Sequence, residues 1–106
     1  MNNSKFHLKV KVVWFNNFLG LAIDQVNLKQ RYFLTPYYFW PKTEAWGQLK
    51  LELDSKLWLK EEEKIEILQL AGDVMNYWLL YRKVKTVDDL KKDFQEIEII
   101  QFWLGL

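Results

Sequence analysis

Residues 6–14, FHLKVKVVW, alternate between apolar and polar positions for most of their length. Phe6, Leu8, Val10, Val12 and Trp14 fall on one side of an extended chain, and His7, Lys9 and Lys11 on the other, which predicts a half-buried strand. Asn16-Asn17 supplies turn chemistry, because asparagine tolerates the left-handed backbone region. The next run, FLGLAIDQVN over 18–27, is apolar on both faces until Asp24 and predicts a more deeply buried strand. The two strands should form an antiparallel hairpin. Gly20 and Ala22 share one face of the second strand, where a bulky ring could approach closely.

Residues 28–36, LKQRYFLTP, read as a basic connection closed by Pro36. Four rings follow, Tyr37-Tyr38-Phe39-Trp40, and then Pro41. Proline disfavours the helical conformation in the residue before it, so Thr35 and Trp40 should be extended and alternate rings should point to opposite sides. The core needs several of these rings, so Phe39 and at least one tyrosine are expected under the helices and against Gly20 and Ala22. The remaining rings are left as contact surface.

Thr43 is the expected N-cap of a first helix over 44–54, with Trp46, Leu49 and Leu53 at helical spacing. KEEEKIEILQLAGDVMNYWLLYRKV predicts a second helix over 62–82. Its polar stripe is only Glu66, Gln69, Asp73 and Asn76, the pattern of a central core helix. Glu61, Glu62 and Glu63 at its start suit the helix dipole. Thr86 with Asp89 forms a capping box that opens a third helix, expected from Val87 to at least Glu96. The final run, IEIIQFWLGL, fits either a helix end or a short strand.

The expected fold class is therefore α+β: an antiparallel hairpin and a short extended aromatic strand packed on two to three helices. Residues 1–82 should form one domain, and 83–106 a helical extension packed on it or on a neighbour. Trp14, Leu21, Ile23, Phe39, Trp46, Leu49, Leu68, Met75 and Trp78 are the expected core.

Composition narrows the function. A chain of 106 residues suits a single core, and 50% apolar with 17% aromatic residues argues against wholesale disorder. The absence of cysteine removes disulfides and thiolate chemistry. No apolar run is long enough for a membrane helix, so no membrane partner is expected. The start, MNNSKFHLKV, has the features of neither a signal nor a transit peptide, so the protein is expected to work where it is made. One histidine, scattered acids at helix starts and four dispersed glycines offer no catalytic set, metal-ligand spacing or phosphate loop. An enzyme, a cofactor, a metal site and a small-molecule substrate are all unexpected.

The net charge of +1 hides an asymmetry. Residues 1–42 hold six cations against one acid, a net of +5, and 43–106 hold nine against thirteen, a net of −4. A basic half suggests a surface facing a polyanion, although solvating lysines on exposed strands would give the same charge. The candidate RNA-binding set is His7, Lys9, Lys11, Lys29, Arg31 and Lys42, with Tyr37 and Tyr38 as candidate aromatic contacts.

LAIDQV (21–26), LTPYYFWPKTEAW (34–46), LKLELDSKLWL (49–59), EEEKIEIL (61–68) and AGDVMNYW (71–78) occur in order and at close spacing. Over about residues 6–80 the chain resembles the plastid-specific ribosomal protein three family of chloroplasts and cyanobacteria. Where that family usually has loop glycines, a proline and a capping serine, this chain has Asn27–Arg31, Leu57 and Lys60. The resemblance implies a structural constituent of the chloroplast small ribosomal subunit. Its partners would be the small-subunit ribosomal RNA and neighbouring ribosomal proteins, and its location the ribosome of the plastid stroma. The competing expectation is a free interaction or ribosome-assembly factor that uses the aromatic face.

Overall fold

The protein is described by a computed structural model over residues 6–84 and 86–103. Residues 1–5, Lys85 and residues 104–106 lie outside the described residues. The elements are β1 (His7–Phe15), β2 (Leu19–Val26), β3 (Arg31–Phe33), β4 (Tyr38–Trp40), α1 (Ala45–Asp54), α2 (Glu61–Tyr81), α3 (Val87–Asp93) and β5 (Glu98–Trp103). The α+β expectation holds. A mixed sheet runs β3-β2-β1-β5, with β4 also paired to β2.

The hairpin register sets Val10 opposite Ile23, Val12 opposite Leu21 and Trp14 opposite Leu19. Side chains alternate across a strand, so these six share one face. All six are fully buried, against Leu49 and Leu53 of α1 and Leu68, Ala71, Val74, Met75 and Trp78 of α2. Two indoles fasten the helices. Trp78 Nε1–H donates to the Phe15 carbonyl at 2.8 Å, and Trp46 Nε1–H donates to the Leu68 carbonyl at 2.8 Å. Each ring thus fills apolar space while its single polar atom is satisfied.

Along its outer edge, β2 meets two short strands in turn. Asp24–Val26 pairs with β3 and Leu19–Leu21 with β4. Between them the Thr35 hydroxyl accepts the Ile23 N–H at 2.9 Å, while the N–H groups of Leu34 and Thr35 donate to the Ile23 carbonyl at 3.1 Å. A buried side chain therefore replaces one rung of the ladder and keeps the backbone satisfied.

Several boundaries differ from the sequence expectation. Glu44, not Thr43, caps α1, its carboxylate accepting from Gly47 N–H at 3.2 Å; the Thr43 hydroxyl instead donates to the Phe39 carbonyl at 2.9 Å. At the start of α2, Lys60 has no acceptor to offer as a cap, and the Glu63 carboxylate accepts weakly from Lys60 N–H at 3.4 Å. Ile65 and Leu79 are exposed, so the solvent stripe of α2 is wider than its four polar residues indicated. The Thr86–Asp89 box forms as expected, Thr86 N–H reaching Asp89 at 2.9 Å and Asp89 N–H reaching Thr86 at 3.2 Å. The helix it opens stops at Asp93 rather than Glu96, because Phe94 leaves the helical region (φ −131, ψ 82). Within the ambiguous run, Glu98–Trp103 is strand β5, parallel to β1, with a register shift between Val12 and Val13, and the last three residues of the run lie outside the described residues. Phe102 from β5 stacks on Trp14 at 5.7 Å, so this strand also contributes to the core face.

Tyr77 joins α2 to the C-terminal segment. Its hydroxyl donates to Asp93 at 2.5 Å and its ring meets Phe94 edge-on at 5.1 Å. Burial first, and then the Asp93 carboxylate, hold the phenol protonated well above its ordinary range. A raised folded pKa gives stability that is complete below the unfolded value of about 10 and is lost as pH rises beyond it. Alkaline titration should therefore show Tyr77 ionising late, with a linked loss of stability above about pH 10, and Tyr77→Phe should remove that contribution. For the core, Trp78→Ala should cost about 3–5 kcal/mol in denaturant unfolding. The half-buried Trp46 should cost less.

Candidate nucleic-acid interface

Among the described residues, the helices cover one face of the sheet only. The molecule measures 44 × 29 × 19 Å, and the short dimension leaves room for two layers, not three. The other face is open, and strand pairing orders its residues in rows. At one end His7, Val26 and Arg31 are in line, followed by Lys9, Asp24 and Phe33. Glu98, Lys11 and Ala22 form the next row, then Gln101, Val13, Gly20 and Phe39, and finally Trp103 and Phe15. One end is charged and the other aromatic.

The charged end is a network rather than a free patch. Asp24 is completely buried, with Lys11 Nζ at 3.0 Å from one oxygen and the Arg31 guanidinium at 3.5 Å from the other. Among the described residues no hydrogen bond of ordinary geometry reaches either Asp24 oxygen, so charge holds these pairs. Arg31 also donates to Glu98 at 2.7 Å, and this contact, followed by the Coulomb pull of Glu98 and Asp24, raises its pKa. The Lys11 ammonium lies 4.4 Å from the Phe33 ring centroid and 5.0 Å from that of Tyr37, two cation–π contacts. Burial, and then the carboxylates of Asp24 and Glu98, push the Tyr37 phenol upward.

The six basic residues expected to contact RNA are therefore not equivalent. Lys11 is drawn inside and Arg31 is tied to two carboxylates. Lys9, Lys29 and Lys42 make no ion pair among the described residues. Lys29 lies in the turn before β3, which Asn27 closes by accepting from the N–H groups of Lys29 and Gln30. Lys42 follows β4 at the opposite end of the same edge, about 24 Å away at the rise of a strand. The structure thus gathers His7, Lys9, Lys11 and Arg31 and leaves Lys42 apart.

The aromatic expectations divide as well. Tyr38 and Trp40 turn to the helical side and pack on the core. Phe39, expected to be buried, lies on the open face and is 38% exposed. Its ring occupies the space that Gly20 leaves: a Cβ there would stand 2.6 Å from Phe39 Cε1 and 3.2 Å from Val13 Cβ. Phe39 also stacks on Tyr37 and meets Phe18 edge-on, and Phe15 links Phe18 to Trp103. Sequence reasoning did not assign Phe15, Phe18, Phe33, Glu98 or Trp103 to this face. For Phe15 the signal was available, since it has the parity of Lys9 and Lys11 along β1. For Phe33, Glu98 and Trp103 it required strand pairings.

Residues 34–80, the segment from the end of β3 through α2, match the family described as plastid and cyanobacterial ribosomal protein (PSRP-3/Ycf65). The chain is 41% identical over 90 residues to the probable small ribosomal subunit protein cS23 of Synechococcus sp. (strain JA-3-3Ab), covering 85% of this chain and 91% of that one. It is 35% identical over 97 residues to small ribosomal subunit protein cS23 of Gracilaria tenuistipitata var. liui, covering 92% and 96%. Against cS23z of Arabidopsis thaliana it is 36% identical over 77 residues, 72% of this chain and 46% of that one. The chain belongs to the PSRP-3/Ycf65 family. Within this PSRP-3/Ycf65 protein, the matched segment includes Lys42, Tyr37 and Tyr38 but not His7, Lys9, Lys11, Lys29 or Arg31.

Removing one member of a buried ion pair strands its partner. Asp24→Asn should lower unfolding stability by roughly 3 kcal/mol. The apolar double variant Lys11→Met/Asp24→Leu should recover most of that loss. At the aromatic end, Gly20→Ala should cost about 1–2 kcal/mol by overpacking, and much less in a Phe39→Ala background.

Proposed function

We propose that this protein is a structural constituent of the plastid small ribosomal subunit, located in the stroma within the ribosome. In this reading it binds small-subunit ribosomal RNA and neighbouring ribosomal proteins. The observation that carries the reading is alignment over nearly the full length of proteins named as small-subunit components in cyanobacteria and algae. Membership of a ribosomal protein family supports a structural rather than an enzymatic role.

The open face supplies the RNA contact in this reading. Lys9, Lys29 and Lys42, whose ammonium groups have no ion pair among the described residues, serve as phosphate contacts by point charge, with His7 beside them. Arg31 keeps more than a third of its side chain accessible and adds a fork that phosphate could share with Glu98. Lys11 acts from beneath, by positioning Phe33 and Tyr37. Tyr37 faces the same way, whereas Tyr38 is directed into the core side and supports the fold.

Sedimentation of plastid extract through sucrose at moderate and high salt should place the protein with small subunits in both. Presence only in light fractions would favour an assembly factor instead. With naked small-subunit RNA, Lys9→Gln and Lys29→Gln should each flatten the log–log salt dependence of binding by about 0.7–0.9 for every phosphate left unneutralised. Lys92→Gln, on α3, should leave the slope unchanged. Equal effects at all three positions would refute the assignment.

A further inference from the structure

We infer that the aromatic part of the open face is a stacking platform for unpaired bases, and that the cleft between Phe33 and Tyr37 accepts one of them. This inference rests on the RNA-binding reading above and narrows the RNA element to a loop, bulge or single strand.

The first observation is the exposure of rings held by regular backbone. Phe33 is 76% exposed, Trp103 62% and Phe39 38%, yet each belongs to a strand paired within the sheet. Pairing fixes the backbone beneath these rings, so little ordering remains to be done when a flat partner arrives. The second is the cleft itself, about 460 Å³, lined by Lys11, Phe33, Leu34, Thr35, Pro36 and Tyr37. Its walls include two ring faces, and the Lys11 ammonium lies within 5.0 Å of both centroids. An aliphatic side chain entering from a protein would offer the two ring faces no flat partner, and would give the N–H groups of that ammonium not turned to Asp24 no acceptor. A nucleobase brings both a flat π surface and carbonyl or ring-nitrogen acceptors, so it satisfies walls and charge together. The third is charge. Lys29 and Lys42 flank the ring series along one edge and Lys9 lies across the sheet from Phe33, which matches a phosphate chain carrying splayed bases. A continuous duplex keeps its bases stacked on one another and has none to offer these rings.

The test uses the full chain and fluorescence anisotropy. One probe is an unstructured RNA of about 12 nucleotides, within the range of single-strand binding sites, and the other is the same strand annealed to its complement. The single strand should bind about tenfold more tightly than the duplex. Phe33→Leu should weaken single-strand binding by about tenfold while leaving duplex binding and the salt slope unchanged, since no charge is removed. Tyr37→Leu should act similarly and Tyr37→Phe should not, because the ring remains. Phe33 is exposed enough that its replacement should not unfold the protein, which a melting curve verifies. Equal binding of both RNAs, or wild-type single-strand affinity in Phe33→Leu, would overturn the platform. So would failure of Phe33→Leu to enter subunits with naked-RNA binding intact, which would assign the cleft to a neighbouring protein. The broader RNA-binding reading fails separately, through an unchanged salt slope in Lys9→Gln.

Discussion

A carboxylate with no exposed surface stands on the side of the sheet that no helix covers. Lys11 and Arg31 approach its two oxygens, and Arg31 in turn is held by Glu98. These four groups come from β2, β1, β3 and β5, so one charge balance ties every strand of the main path together. A slip of one residue in the hairpin would carry Lys11 to the helical side and strand Asp24 without its partner. The same slip would expose Val10, Val12 and Trp14. Charge and apolar pattern therefore enforce a single register.

This balance changes the meaning of the basic N-terminal half. Its net charge of +5 suggests a uniformly cationic surface, but two of the six cations are engaged by carboxylates and Lys5 lies outside the described residues. Freely available charge is thinly spread, at Lys9, Lys29 and Lys42. Between those points the face is built from rings, and Gly20 leaves the space that the Phe39 ring fills.

What could be read from sequence was local. Period-two alternation marked β1, the Asp24 interruption marked the end of the doubly apolar part of β2, and Thr86 with Asp89 marked the start of α3. Each depends on residues within a few positions of one another. The aromatic-proline block identified the family, and it opens the segment that matches it. Features made by distant residues were not legible. β3 is three exposed residues whose extended form depends on pairing with β2, and β5 takes its conformation from β1. Phe39 resembled a core residue because its ring is large and apolar, but the register opposite Gly20 turns it to the other face. Lys11 and Asp24 were visible as charges on two strands, and only their pairing converts a candidate RNA contact into a buried support.

The parallel pairing of β1 with β5 has a consequence for how the chain acquires its shape. The first strand, 7–15, lies beside the last, 98–103, so one side of an interior strand waits for residues synthesised some ninety positions later. The hairpin and α1–α2 can associate early, but they present an unfilled ladder until the C-terminal strand emerges. Such long sequence separation slows the final step and leaves a sticky strand edge exposed meanwhile. Completion of the sheet, and with it the Glu98 end of the charge network, therefore waits on the C-terminal strand.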